Sequence, residues 1–131
     1  MEISVFLNNI KQDFIESCNL YHPKQIGNTI TIYKEGVDLP ELDEFQLAIL
    51  GVEEDRNSFD NTGSKDAPNA IRRALYQLFN HWNNVNIIDL GNIKTGFEIE
   101  DTYFALSNVF TTLMKYRIIP IILGGSQDLT Y

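Results

Sequence analysis

The sequence predicts an α/β fold of three layers, with helices covering both faces of a parallel sheet, and two observations carry that prediction. Phe45–Val52, Val85–Gly91 and Ile118–Leu123 are nearly continuous apolar runs, the mark of strands buried on both faces. Between them lie two stretches whose apolar residues recur at helical spacing. Strands that alternate with helices pair in parallel through right-handed crossovers, so the strand at Phe45 is expected between those at Val85 and Ile118.

In chain order, Ile3, Phe6, Leu7, Ile10, Phe14 and Ile15 fall on one stripe of an α-helix, which predicts an amino-terminal docking helix. After Tyr21-His22-Pro23, Thr29–Tyr33 alternates polar with β-branched or aromatic residues and ends at Gly36, as a short strand at a sheet edge or in a hairpin does. Gly36–Glu44, with Pro40 and four acids, reads as a connecting loop. Residues 1–44 are therefore an expected appendage of helix and short strand or hairpin, and 45–131 the α/β domain. Behind the first strand the polar stretch Glu53–Lys65 shows no period. Asp66 can cap a helix with Pro68 in its first turn and Ile71, Leu75, Leu78 and Trp82 as the buried stripe. Glu100 or Asp101 can open a second helix with Tyr103, Leu106, Phe110 and Leu113 on one face. Gly124-Gly125 stops the third strand, and Asp128–Tyr131 reads as the start of another helix. The working loops of such a sheet lie at the carboxyl ends of its strands, here Gly51–Asp55, Asp89–Gly91 and Gly124–Asp128. A sheet that stops there lacks strands on at least one side, so the chain reads as the amino-terminal portion of a larger, truncated domain.

Composition narrows the function classes. Ten Lys+Arg against eighteen Asp+Glu give a formal charge of −8, which repels phosphate polymers and anionic lipid and excludes nucleic acid as an expected partner. No run approaches the roughly 20 apolar residues of a membrane span, and Met1-Glu2-Ile3-Ser4 lacks the basic start of a signal peptide, so a cytoplasmic, membrane-free protein is expected. Cys18, the single cysteine, can form no internal disulfide, and its apolar neighbours Phe14, Ile15 and Leu20 point to packing.

Pro120-Ile121-Ile122-Leu123-Gly124-Gly125-Ser126-Gln127-Asp128 resembles the segment P-x-x-L-G-G-D-H-S of arginases, agmatinases and formimidoylglutamases. Upstream, Ala67-Pro68-Asn69-Ala70-Ile71-Arg72 resembles that family's G-P-x-x-I-R helix start, Gly51-Val52 the segment behind its first strand, and Asp89-Leu90-Gly91 its D-x-G. These stand in family order over about residues 45–131. The resemblance is thus to the amino-terminal portion of the arginase (ureohydrolase) family, and it implies an arginase-like α/β/α fold. It also implies a full protein that hydrolyses linear amidine or guanidine C–N bonds of small molecules in amino-acid breakdown, such as that of histidine, at a binuclear manganese centre. In the family the His of G-G-D-H is a metal ligand; the matching residue is Gln127, whose amide oxygen is a weaker donor to Mn²⁺ than imidazole. The remaining family ligands, in D-x-H-x-D and D-x-D segments, would lie beyond Tyr131. No catalytic residue is therefore expected within this chain, nor bound manganese, nor activity of the fragment. The alternative is a metal-less pseudoenzyme serving as a binding or assembly subunit.

Plainer readings stand beside these. Gly124-Gly125 can be the tight turn that any parallel α/β sheet needs, and it is no dinucleotide or phosphate-loop fingerprint. Gln127 can bond to backbone at a helix start, Asp128 can favour a helix N-terminus, and Asp89 can cap a strand end or serve catalysis. Arg72 and Arg73 suit a solvated surface or a structural salt bridge, Glu53-Glu54-Asp55-Arg56 a substrate loop or a solvated one, and His81 a surface cap. An unpaired sheet edge could promote homo-oligomers.

Overall fold

The structure is a computed structural model and describes residues 2–130. Three parallel strands form its centre: β3 (Leu47–Val52), β4 (Ile87–Ile93) and β5 (Ile119–Gly124). β3 lies between the other two, as its double-sided burial predicts, with Leu47 opposite both Ile87 and Ile119. The outer edge of β4 carries two short strands end to end. β2 (Thr31–Ile32) is parallel to it, while β1 (Leu7–Asn8) is antiparallel, so the sheet is mixed rather than wholly parallel.

Alternation along the strands splits the interior into two cores. Leu50, Ile88 and Leu90 face Val109 and Leu113 of α4 (Ile99–Lys115), whereas Ile49, Ile87 and Leu123 face Tyr76, Cys18 and Ile26. The second face is covered by α3 (Ala67–Leu75) with α1 (Gln12–Asn19) and α2 (Ile26–Thr29), which completes the three layers. Among the described residues no helix is long and apolar enough to cross a membrane.

The expected amino-terminal helix is divided. Ile3–Phe6 is a 3-10 turn, Leu7–Asn8 becomes β1, and only Gln12–Asn19 is α-helical. Its apolar residues serve two cores, Ile3 and Leu7 on the α4 side and Phe14 and Cys18 on the other, so the chain must cross the sheet edge between them. Asn8-Asn9, poor helix formers, stand at the crossing. Thr29–Tyr33 contributes β2 as an edge strand rather than a hairpin, and Leu42–Glu44 turns once before β3. α4 opens with a capping box: Glu98 and Asp101 each bond the other's backbone N–H, so the helix is capped two residues earlier than the first acid the sequence suggests. Its inner face runs through Thr102, Ala105, Leu106, Val109 and Leu113, leaving Phe110 at 41% exposure. Gln127–Thr130 is a 3-10 turn at the place of the expected last helix; Tyr131 of that segment lies outside the described residues.

The largest departure is in α3. Asp66 is no cap, since its own backbone is already helical and its side chain bonds nothing at the helix start. The helix ends at Leu75, and Leu78 and Trp82 beyond it are more than half exposed. Its buried face is Pro68 and Arg72, followed by Tyr76, rather than Ile71 and its heptad partners. The sheet explains this. Between Ile49↔Asp89 and Gly51↔Asn92 the β3–β4 register slips by one residue, a bulge on β4 with Gly91 at φ +84°. One inserted residue reverses the alternation, so Asp89 and Asn92 both face α3. Arg72 lies between them with both side chains at 1% exposure or less for the ion pair, its Nε and Nη2 on the Asp89 carboxylate at 2.8 and 2.9 Å. The rest of the guanidinium bonds Asn92 Oδ1 at 2.6 Å, Gly91 O at 2.8 Å and Asn69 Oδ1 at 3.2 Å. Tyr76 donates its hydroxyl to the same carboxylate. Burial is the largest single influence and opposes the charge on Arg72, but the field and hydrogen bonds of Asp89 and Tyr76 together more than offset it. Burial first, then Asp89, pushes the Tyr76 phenol up. Asp89 is thus an interior group of β4 and not a strand-end residue, and Arg72 takes the structural-salt-bridge role rather than the solvated one.

Removing one partner leaves the other charge buried and alone, at a cost of about 3–5 kcal/mol. Arg72→Met is expected to lower unfolding free energy by about that amount in urea titrations, and adding Asp89→Leu is expected to restore part of the loss, because no lone charge then remains. Equal stability of Arg72→Met and wild type would refute this assignment.

Candidate site at the carboxyl rim of the sheet

The rim is built where the turns after β3 and β5 meet the start of α4. Glu54, two residues past β3, is only 2% exposed, unusual for a carboxylate, and it is fully engaged. Arg56 Nε donates to its two oxygens at 2.9 and 3.1 Å, and Thr102 Oγ1 to Oε1 at 3.0 Å. The same Arg56 reaches Phe97 O at 2.7 Å and Gly96 O at 3.0 Å, so one guanidinium ties the β3 turn to the segment that opens α4. The Arg56 hydrogen bond is the main reason the Glu54 carboxyl is held below the usual carboxylate range.

The main chain of Glu54 clasps the other turn. Its carbonyl accepts Ser126 N–H at 2.8 Å and Ser126 Oγ at 3.2 Å. A Cβ at Gly125 would run into that carbonyl and stand 2.7 Å from Val52 O, so glycine is required there by close approach of backbone. Beyond Gly125 the chain presents Gln127 and Asp128. Gln127 begins the 3-10 turn with its side chain exposed, and no hydrogen bond joins its amide to the described residues. Asp128 accepts the hydroxyl of Tyr103, which in turn accepts Asn57 Nδ2 at 3.0 Å, and the Asp128 bond is the main cause raising the Tyr103 phenol.

Gln127 therefore stands on the rim, as the strand order predicts, while Asp89 does not accompany it. Glu53 and Arg73 lie on the other side of the sheet, in a cleft beside α3. His22 and His81 are exposed on the segments flanking α2 and leading into β4, at the amino end of the strands. Among the described residues no group of three or more His, Cys, Asp or Glu is arranged to hold a metal ion. Sequence reading places Glu54 only within the charged loop Glu53–Arg56, as a substrate loop or a solvated one, and singles out neither Thr102 nor Asn92. Only the two-residue spacing of Glu54 and Arg56 offered a signal, and it is equally common in solvated loops.

The pH dependence of the clasp follows from Glu54. A carboxyl whose folded pKa is depressed contributes stability that is present above its unfolded value, 4.5, and lost as the pH falls through the lower folded value. The stability gap between wild type and Glu54→Gln is expected to be constant over about pH 6–8 and to close below pH 4.5, read from urea midpoints. A gap that persists unchanged in acid contradicts the clasp.

Comparison with known proteins agrees with this architecture. An uncharacterised 32.2 kDa protein of Methanothermus fervidus is 36% identical over 92 residues, covering 65% of this chain and 32% of its own length. The formimidoylglutamase of Streptococcus gordonii is 23% identical over 135 residues, covering 92% of this chain and 41% of its own length. The chain thus spans about a third to two fifths of the curated relatives it matches. Among solved structures, Trypanosoma cruzi formiminoglutamase with Mn²⁺ superposes with a TM-score of 0.65 at 20% identity, over 81% of this chain and 37% of that one. Agmatine ureohydrolase of Thermoplasma volcanium gives 0.62 at 24%, over 88% and 39%. Those likenesses bear on the fold, which they share. The family itself follows from sequence: the Arginase family model matches residues 45–131, from β3 through the rim turn that carries Gln127, and the chain belongs to the arginase family.

Proposed function

We propose that this chain is the amino-terminal scaffold of a formimidoylglutamase-like hydrolase of small linear amidines or guanidines, and that residues 1–131 alone neither hold the metal centre nor catalyse. The donor set at the rim carries this reading. Gln127 offers a neutral amide, Asp128 gives Oδ2 to Tyr103 and keeps only Oδ1 buried without a partner, and Glu54 is engaged by Arg56 and Thr102, which among the described residues leaves one free carboxylate oxygen and no imidazole at the rim. These residues do not fit a binuclear manganese site, which calls for several carboxylates and imidazoles on one pair of ions. The family resemblance supports manganese in a protein of the relatives' full length, where it would lower the pKa of a bound water. What this stretch supplies is position. The Glu54 clasp fixes the spacing of the β3 and β5 turns, and the Asn57–Tyr103–Asp128 line gives the rim a hydrogen-bonding surface of defined direction.

A second reading rests on Gln127: a member of the family without its metal, acting as a binding or assembly subunit. A cytoplasmic setting and the absence of nucleic-acid or membrane partners go with either. So does self-association through β5, which among the described strands is paired on one side only.

Two measurements decide. Calorimetric titration of the 131-residue chain with MnCl₂ is expected to show no micromolar site, and the chain no hydrolysis of formimidoylglutamate, agmatine or arginine; a micromolar site overturns the scaffold reading. A protein of the relatives' length that contains this chain is expected to hydrolyse one of the three in a manganese-dependent manner. Absence of both metal and turnover there selects the pseudoenzyme.

A further inference from the structure

We propose that the cleft between residues 8–17 and the start of α3 is a binding site for a small molecule with a cationic nitrogen head, anchored by the carboxylate of Glu53. The cavity measures about 720 Å³ and lies on the α3 side of the sheet, whereas Gln127 lines a separate groove beside α4, so the inference does not rest on the function proposed above. That volume falls within the range of small-molecule sites, about 300–1,000 Å³.

The argument starts in the interior. Arg72 is clamped by Asp89 and Gly91 O, and its Nη1 donates to the side-chain oxygens of both Asn92 and Asn69. With their oxygens held by Arg72, both amides must turn their NH₂ groups the other way. There they meet Glu53: Asn92 Nδ2 on Oε1 at 2.9 Å and Asn69 Nδ2 on Oε2 at 3.3 Å. The buried pair therefore orients a carboxylate at the cleft wall through two amides of defined sense. Gly51 belongs to the same device, because a Cβ there would run into Asn92 Oδ1 and stand 2.9 Å from Pro68 Cβ.

Glu53 is half-buried and has no cation within ion-pair distance among the described residues; the ion pairs there are Arg56–Glu54 and Arg72–Asp89. A carboxylate accepts about four hydrogen bonds, and the amides fill two of those positions. The remaining lone pairs suit a planar amidinium or guanidinium, or an ammonium group, through charge-assisted bonds. Asp13 and Asp66 line the same cleft, so its three carboxylates outnumber Lys11 and Arg73, while the charge of Arg72 is already balanced by Asp89. Lys11 and Arg73, likewise unpaired among the described residues, provide for an anionic tail on the ligand.

The test uses the metal-free chain with L-arginine and agmatine as cationic probes and L-glutamate as the control without a cationic side chain. Saturable calorimetric binding of arginine or agmatine is expected below about 10 mM, with glutamate silent. Glu53→Gln is expected to weaken it about tenfold or more, and Gln127→Ala to leave it unchanged. Because Glu53→Gln could disturb the amides, the wild type gives a second readout: the side-chain NH₂ signals of Asn69 and Asn92 should shift in nitrogen–proton spectra as the probe saturates. No binding by either cation, or binding with those amide signals unmoved, overturns the proposal. Loss of binding in Gln127→Ala alone places the ligand on the rim and overturns it too, without touching the scaffold reading.

Discussion

A guanidinium and a carboxylate buried together between α3 and β4 set terms that the surrounding backbone has to meet. Taking both charges out of water costs several kcal/mol per ion, and the pair is sustained only if the remaining donors and acceptors are also satisfied. Arg72 spends its hydrogen-bonding capacity on Asp89, Asn92, Asn69 and Gly91 O, and Asp89 takes Tyr76 and the Gly91 N–H besides. Bringing Asp89 and Asn92 to one face requires the β4 bulge, and the bulge requires a residue at positive φ. Gly91 meets that need, and it also lets Asn8 of β1 lie against β4, where a Cβ would strike the Asn8 carbonyl. The bulge that serves this pair and the close approach of β1 at Asn8 thus meet at one glycine.

The same requirement explains what the sequence did and did not disclose. Long apolar runs such as Leu47–Val52 carry an unambiguous message, double-sided burial, and with intervening helices they leave one sensible order, β4-β3-β5. The family resemblance rests on segments read as strand ends and helix starts: those after β3 and β5 and at the start of α3 fall where the strand order puts them, whereas Asp89-Leu90-Gly91 falls inside β4. Periodicity failed where polar residues do the packing. In α3 the apolar stripe of Ile71, Leu78 and Trp82 looks inward on a helical wheel, yet Arg72 and Tyr76 face the sheet because Asp89 waits there. A buried charge on a strand is invisible to a hydrophobic pattern. At Ile3–Ile15 one stripe proved to be two, since residues that share a helical face can equally serve the opposite faces of a sheet when the backbone crosses its edge.

At the rim the legible part was the place and the illegible part the clasp. Gly124-Gly125 announced a tight turn, but not that Gly125 is wedged against the carbonyls of Glu54 and Val52. Glu54 looked like one acid in a charged loop. Its burial depends on Arg56 and on Thr102 of α4, groups 2 and 48 residues away in sequence, and only the fold brings the second one near.

That clasp bears on how chemistry can change in such a fold. The turn after β5 is held by the backbone N–H and the side-chain hydroxyl of Ser126, both on the Glu54 carbonyl, and by glycine at 125. Gln127 takes no part in these contacts and projects into solvent. Imidazole or amide at this position therefore leaves the turn, the strand and the helix start equally well supported, because none of their hydrogen bonds passes through the side chain. The scaffold and the ligand set are separable here, which is the physical condition under which one fold hosts different sites. Exchange of amide for imidazole at 127 alters which atoms face a reacting group or an ion at a folding cost expected within about 0.5 kcal/mol, so its consequences are read in binding rather than in stability.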